Sequence, residues 1–427
     1  MAGMETEIYF KFILSFGLIL LVARLGGAIA ERFLKQPAVI GELLAGIIIS
    51  PFLLGQFLFA NDPVIMNFAL IDGVFSQNGE HLSGFAPMEI ISQIAVVVLL
   101  FVAGLETNVT SFIKNSFTGA MVAIGGVVVP FALGVFSAMY FFPDLHMAGW
   151  LFIGAILTAT SIGITVRILM DMGKLSSREG TIILVAAVVD DIIGLVILSV
   201  VISMAQSGSV NALSAVTTGV IGFAVWLGIL LLGVYGHKYI SKYILTPFKS
   251  SGTMPVMALI VGLIVSYLVT LVDLHPVVGA YVAGLMFAST MEKEEILHQT
   301  RPIMLFIAPF FFAYLGMQVD LREVWAVIVP ALVIVVLAII GKIVGCYFPA
   351  RFVGKTSHNG AMIVGVGMVP RGEVGLIVAG AGLIAGAITR DLFGIAVAVS
   401  ILTTLVMPVM IKPFFKPKAE ANAKRLP

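Results

Sequence analysis

The chain has 427 residues, 60% hydrophobic and 11% charged, with a formal net charge of +1 and a mean hydropathy of +1.11. Soluble domains are near 45–50% apolar and about 25% charged, so these numbers exclude a soluble enzyme, a nucleic-acid binder and a disordered chain. They describe a polytopic helical membrane protein, since thirteen spans of about 20 residues would occupy roughly 260 positions.

The apolar runs predict thirteen transmembrane helices near 8–27, 38–54, 88–106, 116–142, 148–170, 179–205, 211–236, 253–273, 275–290, 303–318, 324–349, 358–386 and 391–411. Glu5 and Glu7 precede the first run, which speaks against a cleaved signal peptide. The longest connection, Gly55 to Pro87, carries turn formers such as Asn61, Asp62, Gly73 and Gly84 and no Lys or Arg. A short polar tail, expected to be disordered, follows Met410. Basic residues are retained on the cytoplasmic side. With the N-terminus outside, only Lys11, Arg322 and Arg390 of the 24 Lys and Arg fall on the outer side, while Lys342 and Arg371 lie within spans. The expected topology is therefore N-terminus outside and C-terminus cytoplasmic. His81, His146, His237, His275, His298 and His358 lie in or beside predicted loops without metal-ligand spacing, and the single Cys346 allows no internal disulfide.

Ionisable residues inside spans cost roughly 2.5–3.5 kcal/mol each on insertion scales and mark function. In 148–170, Thr158, Thr160 and Ser161 bring hydroxyls suited to a hard cation. These residue types also compete with the helix for its hydrogen bonds and favour a break. Hydroxyls bonding back to their own helix are the plainer alternative. In 179–205, Asp190 and Asp191 sit mid-span. Successive helical residues point about 100° apart, so the two can line one side of a cavity but cannot both face lipid. In 324–349, Lys342 lies in Gly341-Lys-Ile-Val-Gly345, a spacing of small residues that permits close helix approach. It either snorkels to the interface or serves as cationic partner to a buried carboxylate, and the second reading is preferred. In 358–386, the run Gly365-Val-Gly-Met-Val-Pro370-Arg371-Gly372-Glu373 predicts an unwound stretch, with Arg371 and Glu373 expected to neutralise one another.

The units 116–205 and 324–411 each place a broken helix second, and the odd offset between them gives them opposite orientation. Broken helices at matching positions of inverted repeats point to a transport site at the bilayer midplane.

The motifs Gln36-Pro-Ala-Val-Ile-Gly-Glu42-Leu-Leu-Ala-Gly46, Phe101-Val-Ala-Gly-Leu-Glu106-Thr107, Thr158-Ala-Thr-Ser161, Val189-Asp190-Asp191 and Pro370-Arg-Gly-Glu373-Val-Gly-Leu376 resemble the monovalent cation:proton antiporter superfamily. The resemblance is to its second branch, which holds NapA-type bacterial Na+/H+ antiporters and Kef-type K+ systems. It implies an all-α fold of two inverted repeats with crossed broken helices, and a homodimer in the bacterial inner membrane. It further implies scaffold helices at 1–106 and 251–320, core helices at 107–206 and 321–412, a linking helix at 207–250 and a cytoplasmic tail at 413–427.

By the same resemblance, Asp191 is the main cation- and proton-accepting carboxylate, and Asp190 pairs with Lys342. Thr160 and Ser161 lend oxygen ligands; Thr158, Arg371 and Glu373 support them. The transported species are Na+, with Li+ or K+ as variants, and H+. No enzyme activity, resident cofactor or nucleic-acid partner is implied. Kef-type proteins carry a soluble nucleotide-sensing domain after the last span and generally lack paired aspartates. Neither feature matches this sequence, which favours Na+/H+ exchange over K+/H+ exchange. An intramembrane aspartyl protease needs two carboxyls facing one another from separate helices, and a passive channel has no need of a lysine-neutralised carboxylate.

Overall fold

The computed structural model describes residues 2–55, 87–207, 212–248, 253–319 and 321–415. Most of the Gly55–Pro87 connection and the tail beyond 415 lie outside these, as does His81. Among the described residues the chain is helical with no strand. The helices are α1 (Ala2–Ile29), α2 (Ala38–Ile48), α3 (Pro87–Glu106), α4 (Val109–Phe141), α5 (Met147–Thr158), α6 (Ile162–Asp171), α7 (Arg178–Ser207) and α8 (Ala212–Ile240). After these come α9 (Met254–Thr270), α10 (Pro276–Ala288), α11 (Lys293–Met317), α12 (Leu321–Ala326), α13 (Ile328–Phe352), α14 (His358–Gly367), α15 (Gly372–Ile384) and α16 (Arg390–Ile411).

Each predicted run meets a helix or a helix pair, while the count of thirteen crossings is not confirmed. Among the described residues, eight helices are long and apolar enough to cross a bilayer, or ten with two bent pairs. The runs at 38–54, 253–273 and 275–290 fold as helices of 11, 17 and 13 residues, below the roughly 20 that a full crossing takes. Local stops explain this. Pro37 precedes α2, and Pro276 opens α10 behind its cap His275. Other helices outrun their apolar cores. α4 starts at Val109 because the Asn108 side chain accepts from Ser111 N at 2.9 Å, a helix N-cap. α11 begins with polar Lys293-Glu-Glu, and the run after Met410 continues as a helical turn over Lys412–Phe415.

Two groups of helices emerge from the packing. α1, α2, α3, α9, α10 and α11 pack on one another; α4, α5, α7, α13, α14, α15 and α16 do the same, and α8 bridges α7 and α10. α4 lies along α13, where Gly125 faces Gly345 so closely that a Cβ on either would overlap the other's carbonyl oxygen. That is the close approach expected from the Gly341–Gly345 spacing.

Candidate ion-binding site at the helix crossing

Both predicted breaks are present. Between α5 and α6, Ala159, Thr160 and Ser161 leave the helix, and Ser161 caps α6 by accepting from Ile164 N at 3.4 Å. Between α14 and α15, residues 368–371 unwind and the two halves meet at a 45° bend. Pro370 has no N–H to continue the helix and disfavours helical backbone at Val369. Gly372 has φ +37° and packs against Ser161, where a Cβ would lie 2.7 Å from the hydroxyl oxygen.

The two breaks then bind each other. Ser161 N donates to Pro370 O at 2.9 Å, and Thr165 Oγ1 to Gly367 O at 3.0 Å. Thr160 Oγ1 makes a long contact to Met368 O at 3.5 Å. Ser161 Oγ donates to Glu373 Oε2 at 2.7 Å, an ordinary hydroxyl–oxygen distance. Thr158 alone bonds back into its own helix, to Ala155 O at 2.7 Å. Thr160 and Ser161 therefore reach across the crossing, while Thr158 follows the plainer alternative.

The expected Arg371–Glu373 pair does not form. Residues two apart at a helix start do not face each other, and each group has a better partner. The buried Arg371 guanidinium donates to Leu157 O at 2.8 Å, to Ala338 O at 3.1 Å and to Val369 O. Leu157 O belongs to the unsatisfied carbonyl end of half-helix α5, which attracts positive charge. Glu373 sits in the first turn of α15 and reaches the start of α6 through Ser161. There, two helix N-termini favour negative charge.

On α7 the two aspartates part. Asp190 is 2% exposed and accepts from Lys342 Nζ at 3.0 Å; Lys342 is 0% exposed. The lysine points into the bundle, not to the interface. Asp191 is half-buried, and its carboxylate has no hydrogen bond or ion pair among the described residues.

Asp191 borders a cavity of about 140 Å³ lined also by Thr158, Ala159, Asp190 and Gly194, ample for an ion with several waters. Thr160, Ser161 and Lys342 lie behind this wall. Sequence reasoning missed the opposite wall, the turn Asp273-Leu274-His275 between α9 and α10. Its only sequence signal was the break between two apolar runs. A second cavity of about 380 Å³ lies on the other flank of α15 and holds Glu373 with Glu89, Gln93, Tyr314 and Gln318. Also unforeseen is a contact joining α6 to the first helix group. Buried Arg167 on α6 lies 3.6 Å from buried Glu42 on α2 and 3.0 Å from Asp171.

Residues 17–416 match the family model described as sodium/hydrogen exchanger, transmembrane. The chain is 34% identical to the Na+/H+-K+ antiporter GerN of Bacillus cereus, over 96% of this chain and 98% of that one. It is also 34% identical to the high-affinity Na+/H+ antiporter NhaS3 of Synechocystis, over 97% and 92%. A Na+/H+ antiporter of Enterococcus hirae is 31% identical over 95% and 98%. In fold, the chain is similar to the sodium proton antiporter MjNhaP1 of Methanocaldococcus jannaschii, with a TM-score of 0.66 at 17% identity, covering 98% of this chain and 99% of that one.

Proposed function

Because the chain belongs to the transmembrane sodium/hydrogen exchanger family, we propose that it exchanges Na+ for H+ across a bacterial inner membrane, with Asp191 as the exchange group. The observation that carries this reading is a carboxylate without a hydrogen bond or ion pair among the described residues, on a residue that lines a cavity, one position from a carboxylate that a buried lysine already holds.

An ionised Asp191 without a counterion is costly to carry through a low-dielectric barrier. Either Na+ or H+ must therefore occupy it whenever the site changes sides, and competition for one group couples the two flows. Alternation comes from the group α4–α7 with α13–α16 moving against a scaffold of α1–α3 with α9–α11. The packing of each group largely on itself, with α6 reaching across to α2 and α3, supports this division. The functional unit is a homodimer with its N-terminus outside and C-terminus cytoplasmic.

Arg371 and Glu373 neutralise helix ends and cancel in charge, leaving Asp190, Asp191 and Lys342 to set a net charge of −1, which one Na+ balances. If Lys342 releases a proton while Na+ is bound and regains it afterwards, two protons return per Na+. The membrane field then contributes about 2.3 kcal/mol per net charge per 100 mV.

The test is reconstitution into vesicles with a pH dye inside, adding Na+, Li+ and K+ in turn. Na+-driven proton movement is expected, and its reversal should shift with an imposed voltage. A reversal set by the ion gradients alone would mean one-for-one exchange. K+/H+ exchange is the second reading, favoured by the Bacillus cereus relative, a Na+/H+-K+ antiporter. K+-driven movement in the absence of Na+ would select it. Because K+ is itself a candidate substrate, any valinomycin clamp is repeated in protein-free vesicles and with Asp191→Asn.

A further inference from the structure

α9 ends in a turn that asks for glycine and has aspartate. Leu274 N donates to Val269 O at 3.2 Å and Asp273 N to Thr270 O at 3.1 Å, with Leu274 buried beyond. This is the paired closure of a Schellman motif, whose left-handed position is usually glycine. Asp273 occupies it with φ +61°. The other two non-glycine residues with positive φ among those described are lysines, Lys35 and Lys355. The fold therefore does not need a carboxylate at 273.

The carboxylate is nevertheless exposed, and it lines the cavity that holds Asp191. Neither a hydrogen bond nor an ion pair engages it among the described residues. Its neighbour His275 accepts from Val277 N through Nδ1 at 3.4 Å as the cap of α10, so it supplies no positive charge there. The walls between Asp273 and Asp191 include Leu195, Leu198, Ile377 and Val378. A cleft with charge of one sign and apolar walls focuses the field and concentrates counterions.

We infer that Asp273 is the cation-recruiting residue of the exchange pathway: it draws monovalent cations into the mouth of the cavity and delivers them to Asp191. The inference rests on the reading of Asp191 as the exchange group. Asp273 stands on the α9–α10 turn and Asp191 on α7, in different packing groups. Asp273 can thus act on ions arriving from one face of the membrane only.

The experiment measures Na+-driven proton movement in right-side-out and inverted membrane vesicles, for the parent and for Asp273→Gly, Asp273→Asn and Asp191→Asn. Glycine removes the charge at a position whose backbone suits glycine, so the first variant isolates electrostatics from folding. One unit charge acting across a small wet cavity changes local cation concentration by about two- to tenfold. The apparent KM for Na+ is expected to rise by that factor in both Asp273 variants, with Vmax held, on the face that carries the turn and not on the other. The difference should shrink as choline chloride approaches about 1 M, where the Debye length falls to about 3 Å.

An unchanged KM in Asp273→Gly overturns the inference. So does an equal rise on both faces, or a rise that salt does not reduce. If the parent moves no protons with Na+, Li+ or K+, or if Asp191→Asn still does, the exchange reading itself fails and takes this inference with it.

Discussion

Asp190 and Asp191 are chain neighbours in two unlike environments. The region behind α7 is buried, and its ionisable groups are partnered: Asp190 by Lys342, Glu373 by Ser161, and Arg371 by three carbonyls. The region in front is a cavity, with Asp191 on one wall and Asp273 on the other, neither hydrogen-bonded or ion-paired among the described residues. Paired charges in a low-dielectric interior hold a geometry, because breaking one pair leaves an uncompensated ion. An unpaired carboxylate lining a cavity holds no contact and is free to exchange ligands. The contrast separates residues that build the crossing from the residue that uses it.

Substitutions on the two sides should therefore fail differently. The largest effect on transport is expected from Asp191→Asn, which should reduce cation-driven proton movement to that of empty vesicles. The melting temperature of the detergent-solubilised protein should hardly move, since no intramolecular contact is lost. A clear loss of stability in that variant would put Asp191 among the structural groups and break the comparison.

The largest effect on stability is expected from Arg371→Met. It strands the carbonyls of Leu157, Val369 and Ala338, and three bonds from a charged donor are worth at least about 4 kcal/mol together. Arg371→Lys should recover only part of this, because one ammonium cannot reproduce the spread of the guanidinium fork. Chemical denaturation monitored by tryptophan fluorescence, alongside folded yield, would measure both.

A somewhat smaller loss, about 3 kcal/mol, is expected for Lys342→Gln, which leaves Asp190 charged and alone. Adding Asp190→Asn should restore most of that stability, since the pair and its removal are nearly neutral. A Lys342→Gln variant that melts and transports like the parent would show that the 3.0 Å contact carries no weight.

The smallest effect is expected from Ser161→Ala. It removes the bond to Glu373 and the α6 cap, at a cost of about 2 kcal/mol, while transport persists at a reduced rate. Abolished transport with full stability would instead place the Ser161 oxygen on the ion.

Much of the crossing is readable along the chain. The breaks at Thr158–Ser161 and at Pro370 follow from local chemistry, hydroxyls competing for backbone bonds and a missing N–H, and such effects act within a turn or two. The glycine contact between α4 and α13 follows from spacing. Arg371 and Glu373 misled because proximity in sequence suggested a pair, whereas Arg371 reaches Leu157 O, 214 residues away, and Glu373 reaches Ser161, 212 residues away.

The sequence alone determined that this is a polytopic helical membrane protein with two interrupted helices and a costly pair of mid-span carboxylates. Hydropathy, proline chemistry and desolvation depend on the residue itself and its near neighbours. Tertiary structure decided which aspartate is held and which is free, because a rotation of about 100° per residue matters only once something stands on each side. It also decided that Arg371 serves carbonyls and not Glu373, that Glu42 on α2 meets Arg167 on α6, and that Asp273 looks across a cavity at Asp191. Each of these joins segments distant in the chain, and such meetings are set by how helices pack, which no local pattern records.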